Sequence, residues 1–354
     1  MRMGLEQAGW RVIYANDIDE KKREMYDAHF KDEIPHFHLG DIHKIDPADI
    51  PVVDLATASF PCNDLSLAGA MEGLEGSQSS AFWGFIRILK LLKERRPPFV
   101  MLENVLGFLT SNNGEDFYSA MRALNRLGYS TDPIIIDAAL FVPQSRKRLF
   151  VLGKLGDKGE PYVEVSDLRP AALVDFIKEN PDIKWGIRDL PSPPRSNQKL
   201  MEILDDPPET SHEWWSRERA GYFLGQLSEK HRRIADAMIA GKRFSYATAF
   251  RRIRNGRSMA EIRTDGIAGC LRTPRGGSGR QILFKAGREK YFVRLLNPRE
   301  CARLMGAPGY RIGGRTLNQA LFGFGDAVCV PVVNWIAENY LNKVVCSRLT
   351  NVAA

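Results

Sequence analysis

The sequence predicts an α/β protein: a doubly wound, mostly parallel sheet accompanied by a smaller second domain. Three observations carry that expectation. Short apolar runs alternate with helix-period segments through the first half of the chain, the pattern of strands joined by crossover helices. Acidic residues stand after several of these runs (Asp17, Asp41, Glu103), at the strand ends where such sheets bind ligands. Beyond Pro191-Ser192-Pro193-Pro194 the character of the chain shifts, which marks a domain boundary. We therefore expect residues 1–195 to form the sheet domain, 196–314 a second domain, and 315–354 a return to the first.

Taken in order, residues 3–8 read as the last turns of a helix capped by Gly9, and 10–15 as a strand ending in Asn16-Asp17-Ile18-Asp19. A helix over 20–30 follows, then Leu39-Gly40-Asp41-Ile42, then a buried strand over 51–56. That strand leads into Thr57-Ala58-Ser59-Phe60-Pro61-Cys62, a thiol at a strand end followed by a loop bearing Gly69, Gly73 and Gly76. A nucleophile suits that place, although a lone cysteine is more often a core residue. Helical periodicity over 81–92 is stopped by Pro97-Pro98, and 99–102 forms a buried strand that delivers Glu103-Asn104-Val105. A carboxylate so placed can be desolvated and serve as a general acid; its ordinary role would be a helix cap or a surface acid. A helix over 117–127 ends at Gly128, and strands over 133–137 and 149–153 flank Gln144-Ser145-Arg146-Lys147-Arg148. Alternate positions of an extended segment share a face, so Arg146 and Arg148 can clamp one anion or polarised base, as an edge strand also would.

Further on come Trp214-Trp215, a helix over 228–240, and a helix over 298–305 with Asn297 as N-cap and Pro298 at its first position. Residues 328–340 are an apolar element returning to the core. The charge is unevenly placed. The window from Lys242 to Arg280 holds ten Lys/Arg against Glu261 and Asp265, which accounts for the whole net charge of +7. Such a concentration is the expected footprint of a polyphosphate partner, the alternative being a solvated basic face without one. The five cysteines (Cys62, Cys270, Cys301, Cys329, Cys346) are odd in number and form no C-x-x-C pair, so neither a disulfide framework nor a metal site is expected. No segment reaches ~18 uninterrupted apolar residues, and the N-terminus lacks a signal-peptide pattern; a cytoplasmic protein is expected.

Five blocks, in this order, resemble the DNA (cytosine-5) methyltransferases of bacterial restriction–modification systems: Phe60-Pro61-Cys62, Glu103-Asn104-Val105, Gln144 to Arg148, Arg294 to Gly306, and Gly325-Asp326-Ala327-Val328. The match spans nearly the whole chain except 196–280, the variable region, which the resemblance makes a DNA target-recognition domain. It implies a Rossmann-like fold, S-adenosyl-L-methionine as cofactor and duplex DNA as partner. A restriction endonuclease would act on the same site, and a monomer, without metal or membrane, is expected. In this family Cys62 would be the thiolate that adds to C6 of a flipped cytosine. Glu103 would contact N3 and the exocyclic amine, and one of Arg146 and Arg148 would hold O2. Asp17 would take the cofactor ribose and Ile18 its adenine face. Asp41 and Ile42 would flank the adenine edge, and Pro61 and Val328 would line the pocket. Asn63 stands where Gln is usual, Ala81 where a bulkier apolar residue is usual, and Asp326 where Asn is usual, which puts a carboxylate near the methionine end of the cofactor.

The family opens with a strand and a Phe-x-Gly-x-Gly turn that cradle the methionine moiety, and this chain starts just past them. Losing a central strand of ~5 residues, at about 1 kcal/mol per hydrogen bond, is comparable with a domain's stability of ~5–15 kcal/mol. The expectation is a misassigned or truncated start, and a chain that folds marginally or methylates poorly. A catalytically impaired DNA-binding relative is the alternative. A tRNA-directed relative is disfavoured, because the Cys-Phe-Thr tripeptide of such enzymes is absent: Cys270 is followed by Leu271 and Arg272.

Overall fold

The computed structural model describes residues 1–61, 81–157, 162–254, 256–273, 279–314 and 316–345 of the chain. Its first half alternates as expected: α1 (Arg2–Gln7), β1 (Ala15–Asp17), α2 (Glu20–His29), β2 (Phe37–Leu39), β3 (Leu55–Ser59), α3 (Ala81–Leu91), β4 (Phe99–Asn104), α4 (Gly107–Thr110), α5 (Glu115–Arg126), β5 (Tyr129–Asp137) and β6 (Lys147–Leu155). Local chemistry sets the boundaries. Asp19 caps α2 by accepting from the Lys21 and Lys22 amides. Gly9 and Gly128 take the left-handed backbone that ends their helices, at φ +89° and +93°.

β4 is central and buried at every position. Its partners run in the order β3-β4-β6-β5, parallel between β3 and β4 and antiparallel across β6 to β5. The pleat sends alternate residues to opposite faces. Phe99, Met101, Phe150 and Leu152 join one apolar cluster, and Val100, Leu102, Leu149 and Val151 join the other. Helices α3 and α5 and a later helix, α6 (Ala171–Glu179), cover the second cluster. The class is therefore the Rossmann-like α/β sheet expected, with mixed rather than mostly parallel pairing.

The sheet is divided. β1 and β2 form a separate parallel pair, and no ladder joins β1 to β3 among the described residues. A cavity lined by Val12, Ile13, Tyr14 and Ala15 and by Leu55 to Ser59 lies against both. This is why the strand expected over 10–15 is short. A strand is defined by its neighbours, and residues 10–14 have extended sequence but no strand partner among the described residues.

The chain then passes α7 (Leu200–Ile203), α8 (Arg217–Gly225) and α9 (Glu229–Ile239) to an antiparallel sheet of β7 (Ser245–Arg254), β8 (Arg257–Arg263), β9 (Ile282–Gly287) and β10 (Lys290–Leu295), in the order β10-β9-β7-β8. Ala247, Ala249, Ile282, Phe284 and Val293 pack on Phe223, Leu224 and Ala235 as a cluster of their own. Lys285 is buried within 4.8–5.9 Å of the rings of Phe244, Tyr246, Trp214 and Phe292 and pairs with Asp206 at 2.6 Å.

α10 (Pro298–Leu304) starts in a capping box made by Asn297 and Glu300. The wholly buried Glu300 also takes the buried Arg294 at 2.5 Å. α11 (Leu317–Asp326) and α12 (Val330–Ile336) complete the return. The run Asn318–Val345 is long and apolar enough to cross a membrane by length and composition, but 67% of its most apolar 18-residue stretch is buried inside the fold. Val332, Val333, Ile336 and Leu341 belong to the main cluster. α12 lies tightly on α1: a Cβ at Gly4 would stand 2.5 Å from the Val330 carbonyl oxygen. Only glycine permits that approach.

Candidate active site

The carboxyl ends of β1, β3 and β4 open into one cavity of about 2230 Å³. Asp17, Ile18, Asp41, Ile42, Pro61, Glu103, Arg146, Arg148, Asp326 and Val328 all line it. These ten residues were singled out from segments scattered along the chain, and the fold gathers them around one space. Cys62 lies outside the described residues; Pro61, directly before it, is on the cavity wall.

On one side of the cavity the groups are buried and interlocked. Glu103 is 4% exposed at the tip of β4. Register places Ser59 of β3 opposite it, and the Ser59 hydroxyl donates to Glu103 Oε2 at 2.5 Å. Arg148 Nε lies 3.0 Å from the other carboxylate oxygen. Asn104 donates to the Phe60 carbonyl at 3.1 Å, fixing the approach to Pro61. Arg146 is 3% exposed and spans the chain. It donates to the carbonyls of Leu271 (2.8 Å), Gly325 (2.9 Å) and Ala327 (2.6 Å). Burial and the neighbouring Arg148 hold its pKa below the ordinary arginine value. The shared face expected of the two arginines is met in part. Both reach Cys270 Sγ, at 3.4 and 3.8 Å, but Arg146 is engaged by backbone carbonyls and Arg148 is the one turned to Glu103. Gln144, fully buried, accepts from the Leu271 amide and donates to the Leu304 carbonyl.

The other side is more open. Ile18 is 71% exposed at the cavity edge. Asp17 accepts from the Asp19 amide, and Asp41 from the His43 amide, which caps the turn carrying Ile42. Lys22 bridges two acids, at 3.4 Å from Asp17 and 3.1 Å from Asp326. These two carboxylates outweigh its partial burial and raise its pKa. Lys22 and Ser59 escaped the sequence reading. A lysine on a helix's first turn and a serine in a strand carry no local sign of partners so distant in sequence.

An acid beside an exposed apolar platform, with a second acid and apolar residue across the rim, suits an adenosine moiety: hydroxyls for Asp17, a flat face for Ile18, an amino edge for Asp41. The fold is that of a Rossmann-like α/β protein, and a buried carboxylate–arginine pair, Glu103 with Arg148, stands on the wall beside this rim. The family model for C-5 cytosine-specific DNA methylases matches residues 1–342, and the chain belongs to that family, of the bacterial restriction–modification type. It is similar to Type II methyltransferase M.HhaI of Haemophilus parahaemolyticus, with 29% identity covering 96% of this chain and 90% of that protein. Type II methyltransferase M.DsaV of Dactylococcopsis salina is 27% identical, over 97% of this chain and 83% of that one. Among solved structures, the S. pombe Dnmt2 methyltransferase superposes with a TM-score of 0.61 at 17% identity, covering 97% and 94% of the two chains, a likeness of fold. The family's reaction is methylation of DNA cytosine at C5 with S-adenosylmethionine as methyl donor.

Proposed function

We propose that this chain methylates one cytosine in a specific duplex DNA sequence, after flipping that base from the stack, through a covalent adduct between Cys62 and C6. The observation that supports it is the pairing of Glu103 with Arg148 and Ser59 on the wall that Pro61 continues. C5 of cytosine is a poor nucleophile until a thiolate adds at C6, so covalent catalysis is required. Glu103 would contact N3 and the exocyclic amine as charge develops, with Ser59 and Arg148 fixing its rotamer. Arg148 is the arginine available for O2, while Arg146 ties the wall together. S-adenosylmethionine supplies an electrophilic methyl group when bound. Asp17, Ile18, Asp41 and Ile42 would hold its adenosine, Pro61 and Val328 would line its pocket, and Asp326 with Lys22 would stand at the methionine end. The base must leave the duplex to present C6. Once C5 of the adduct carries the methyl group, a base such as water takes the C5 proton while the C6–S bond breaks, which returns the Cys62 thiolate and restores the C5–C6 double bond. We place residues 196–314 as the target-recognition domain. The enzyme would act as a cytoplasmic monomer, without metal, alongside an endonuclease of the same specificity. Bisulfite sequencing of DNA from cells expressing the chain tests this: conversion-resistant cytosine in one sequence context is expected.

One observation favours a second reading, a DNA-binding relative with impaired catalysis. The sheet is divided between β1 and β3, beside the space for the methionine moiety. Labelled cofactor separates the two: duplex binding without label transfer supports the second.

A further inference from the structure

The basic window is not uniformly available to a partner. Glu261 pairs with Arg254 at 2.6 Å and lies 4.0 Å from Arg252, and Asp265 holds Arg263 at 2.7 Å. The two acids of the window are therefore taken up by Arg254 and Arg263 of β7 and β8. Arg251 and Arg280 are treated differently. Both are partly buried, both have an Nε atom sealed from solvent with no hydrogen-bond partner, and neither has a carboxylate within ion-pair distance among the described residues. Burial and the nearby Arg219 push the Arg251 pKa down. Arg280 has one neutral partner, Asn318 of α11.

These arginines line one small cavity, of about 60 Å³, with Trp215, Arg219, Ile282 and Leu295. Trp215 is its organising element. The Arg219 guanidinium lies 4.2 Å from the indole centroid and that of Arg251 5.8 Å. A guanidinium held over an aromatic face can still offer N–H groups to a bidentate acceptor. Three cations converging without an anion repel one another, and two of them have buried donors left over. An anion that completed the cavity would relieve both costs. A cavity of that volume has room for a few waters, which suits a tetrahedral oxyanion and is too small for a nucleobase.

Its place in the fold says which oxyanion. Segment 268–273 leaves β8, lines the large cavity through Cys270 to Thr273, and is pinned there by Gln144 and Arg146. The chain re-enters the second sheet at Arg280, ahead of β9. The arginine cavity therefore stands at the exit of the segment that passes through the candidate active site.

We propose that Arg219, Arg251 and Arg280, organised by Trp215, form a binding site for a single backbone phosphate of the substrate DNA, setting the register of the duplex on the second sheet. This rests on the reading of the chain as a DNA-acting enzyme. A backbone contact carries no sequence information, so its loss weakens all duplexes alike. The test is fluorescence anisotropy of the full chain with duplexes of cognate and unrelated sequence, across a salt series. Arg251→Gln should weaken binding to both duplexes by a similar factor, roughly tenfold, and make the slope of log K against log salt shallower by ~0.9. Trp215→Leu, which keeps all three charges and removes the platform, should weaken both duplexes by a smaller factor; parent affinity in it would overturn the platform role. Arg251→Lys should keep the slope and recover part of the affinity, which separates charge from misfolding; a thermal melt checks the fold of each variant. Parent affinity and slope in a folded Arg251→Gln would overturn the phosphate site and leave the DNA reading standing. Loss confined to one sequence would overturn it in favour of base readout. A parent chain that binds structured RNA and no duplex would overturn the DNA reading and this site with it.

Discussion

The two walls of the cavity are built by different means. The wall carrying Glu103 belongs to a continuous four-stranded ladder, and its charged groups are sealed within apolar clusters. The wall carrying Asp17 belongs to a two-stranded ladder of three residues per strand, none of them buried. There the positions are held by ion pairs, the partly exposed Lys22 to Asp17 and Asp326 and the more buried Arg2 to Asp32 at 2.6 Å. Where hydrogen-bonded strands are continuous, backbone register can aim a side chain, as Ser59 is aimed at Glu103. Where they are not, charge does the aiming, and it does so through solvent that screens it.

The largest contrast comes from removing chemistry without removing structure. Cys62→Ser should abolish methyl transfer while cofactor binding and the melting curve stay near those of the parent; transfer near the parent rate would remove Cys62 from the mechanism. Glu103→Gln should lower kcat by on the order of 10²–10⁴, with little change in affinity for the cofactor measured by calorimetry. Arg146→Met leaves three carbonyls without a donor, and denaturant unfolding should show a loss of about 3 kcal/mol. On the open wall the effects shrink. Lys22→Met leaves Asp17 and Asp326 facing each other and should weaken cofactor binding severalfold, the size of a screened pair of ~1 kcal/mol. Adding Asp326→Asn should restore it, and a double variant as weak as the single would break the bridge argument. Smallest is the acid response. The Arg2 guanidinium holds the Asp32 carboxyl below its ordinary 3.8. A depressed acid stabilises the fold above that value and loses its contribution as pH falls below it. Protection against hydrogen exchange, corrected for the intrinsic rate at each pH, should therefore fall in α1 and α2 on acidification below about pH 3.8, ahead of β4, and less so in Asp32→Asn.

The same contrast decides what the sequence could show. β4 and its terminal Glu103 are legible because four consecutive apolar residues ended by proline on one side and an acid on the other admit one reading. α10 is legible because its capping box is local. β1 is not: an extended run becomes a strand only where another strand meets it, and residues 10–14 meet none among the described residues. Ser59, Lys22 and the arginine cavity on Trp215 depend on cross-strand register and on segments far apart in the chain, which periodicity does not encode. The arginines of the basic window were visible as charge, but which of them are neutralised at home was not.

Arg146 has a consequence for the order of assembly. It joins the start of β6 to the Leu271 segment and to the end of α11, so the cavity wall needs residues from the middle and the far end of the chain together. A ribosome delivers them in sequence. The sheet around β4 can collapse while synthesis continues, but the wall closes only after α11 and α12 have emerged. On the proposed function, a nascent chain would gain its complete cavity wall only once α11 has docked, so translation itself would separate the making of this protein from the start of its activity.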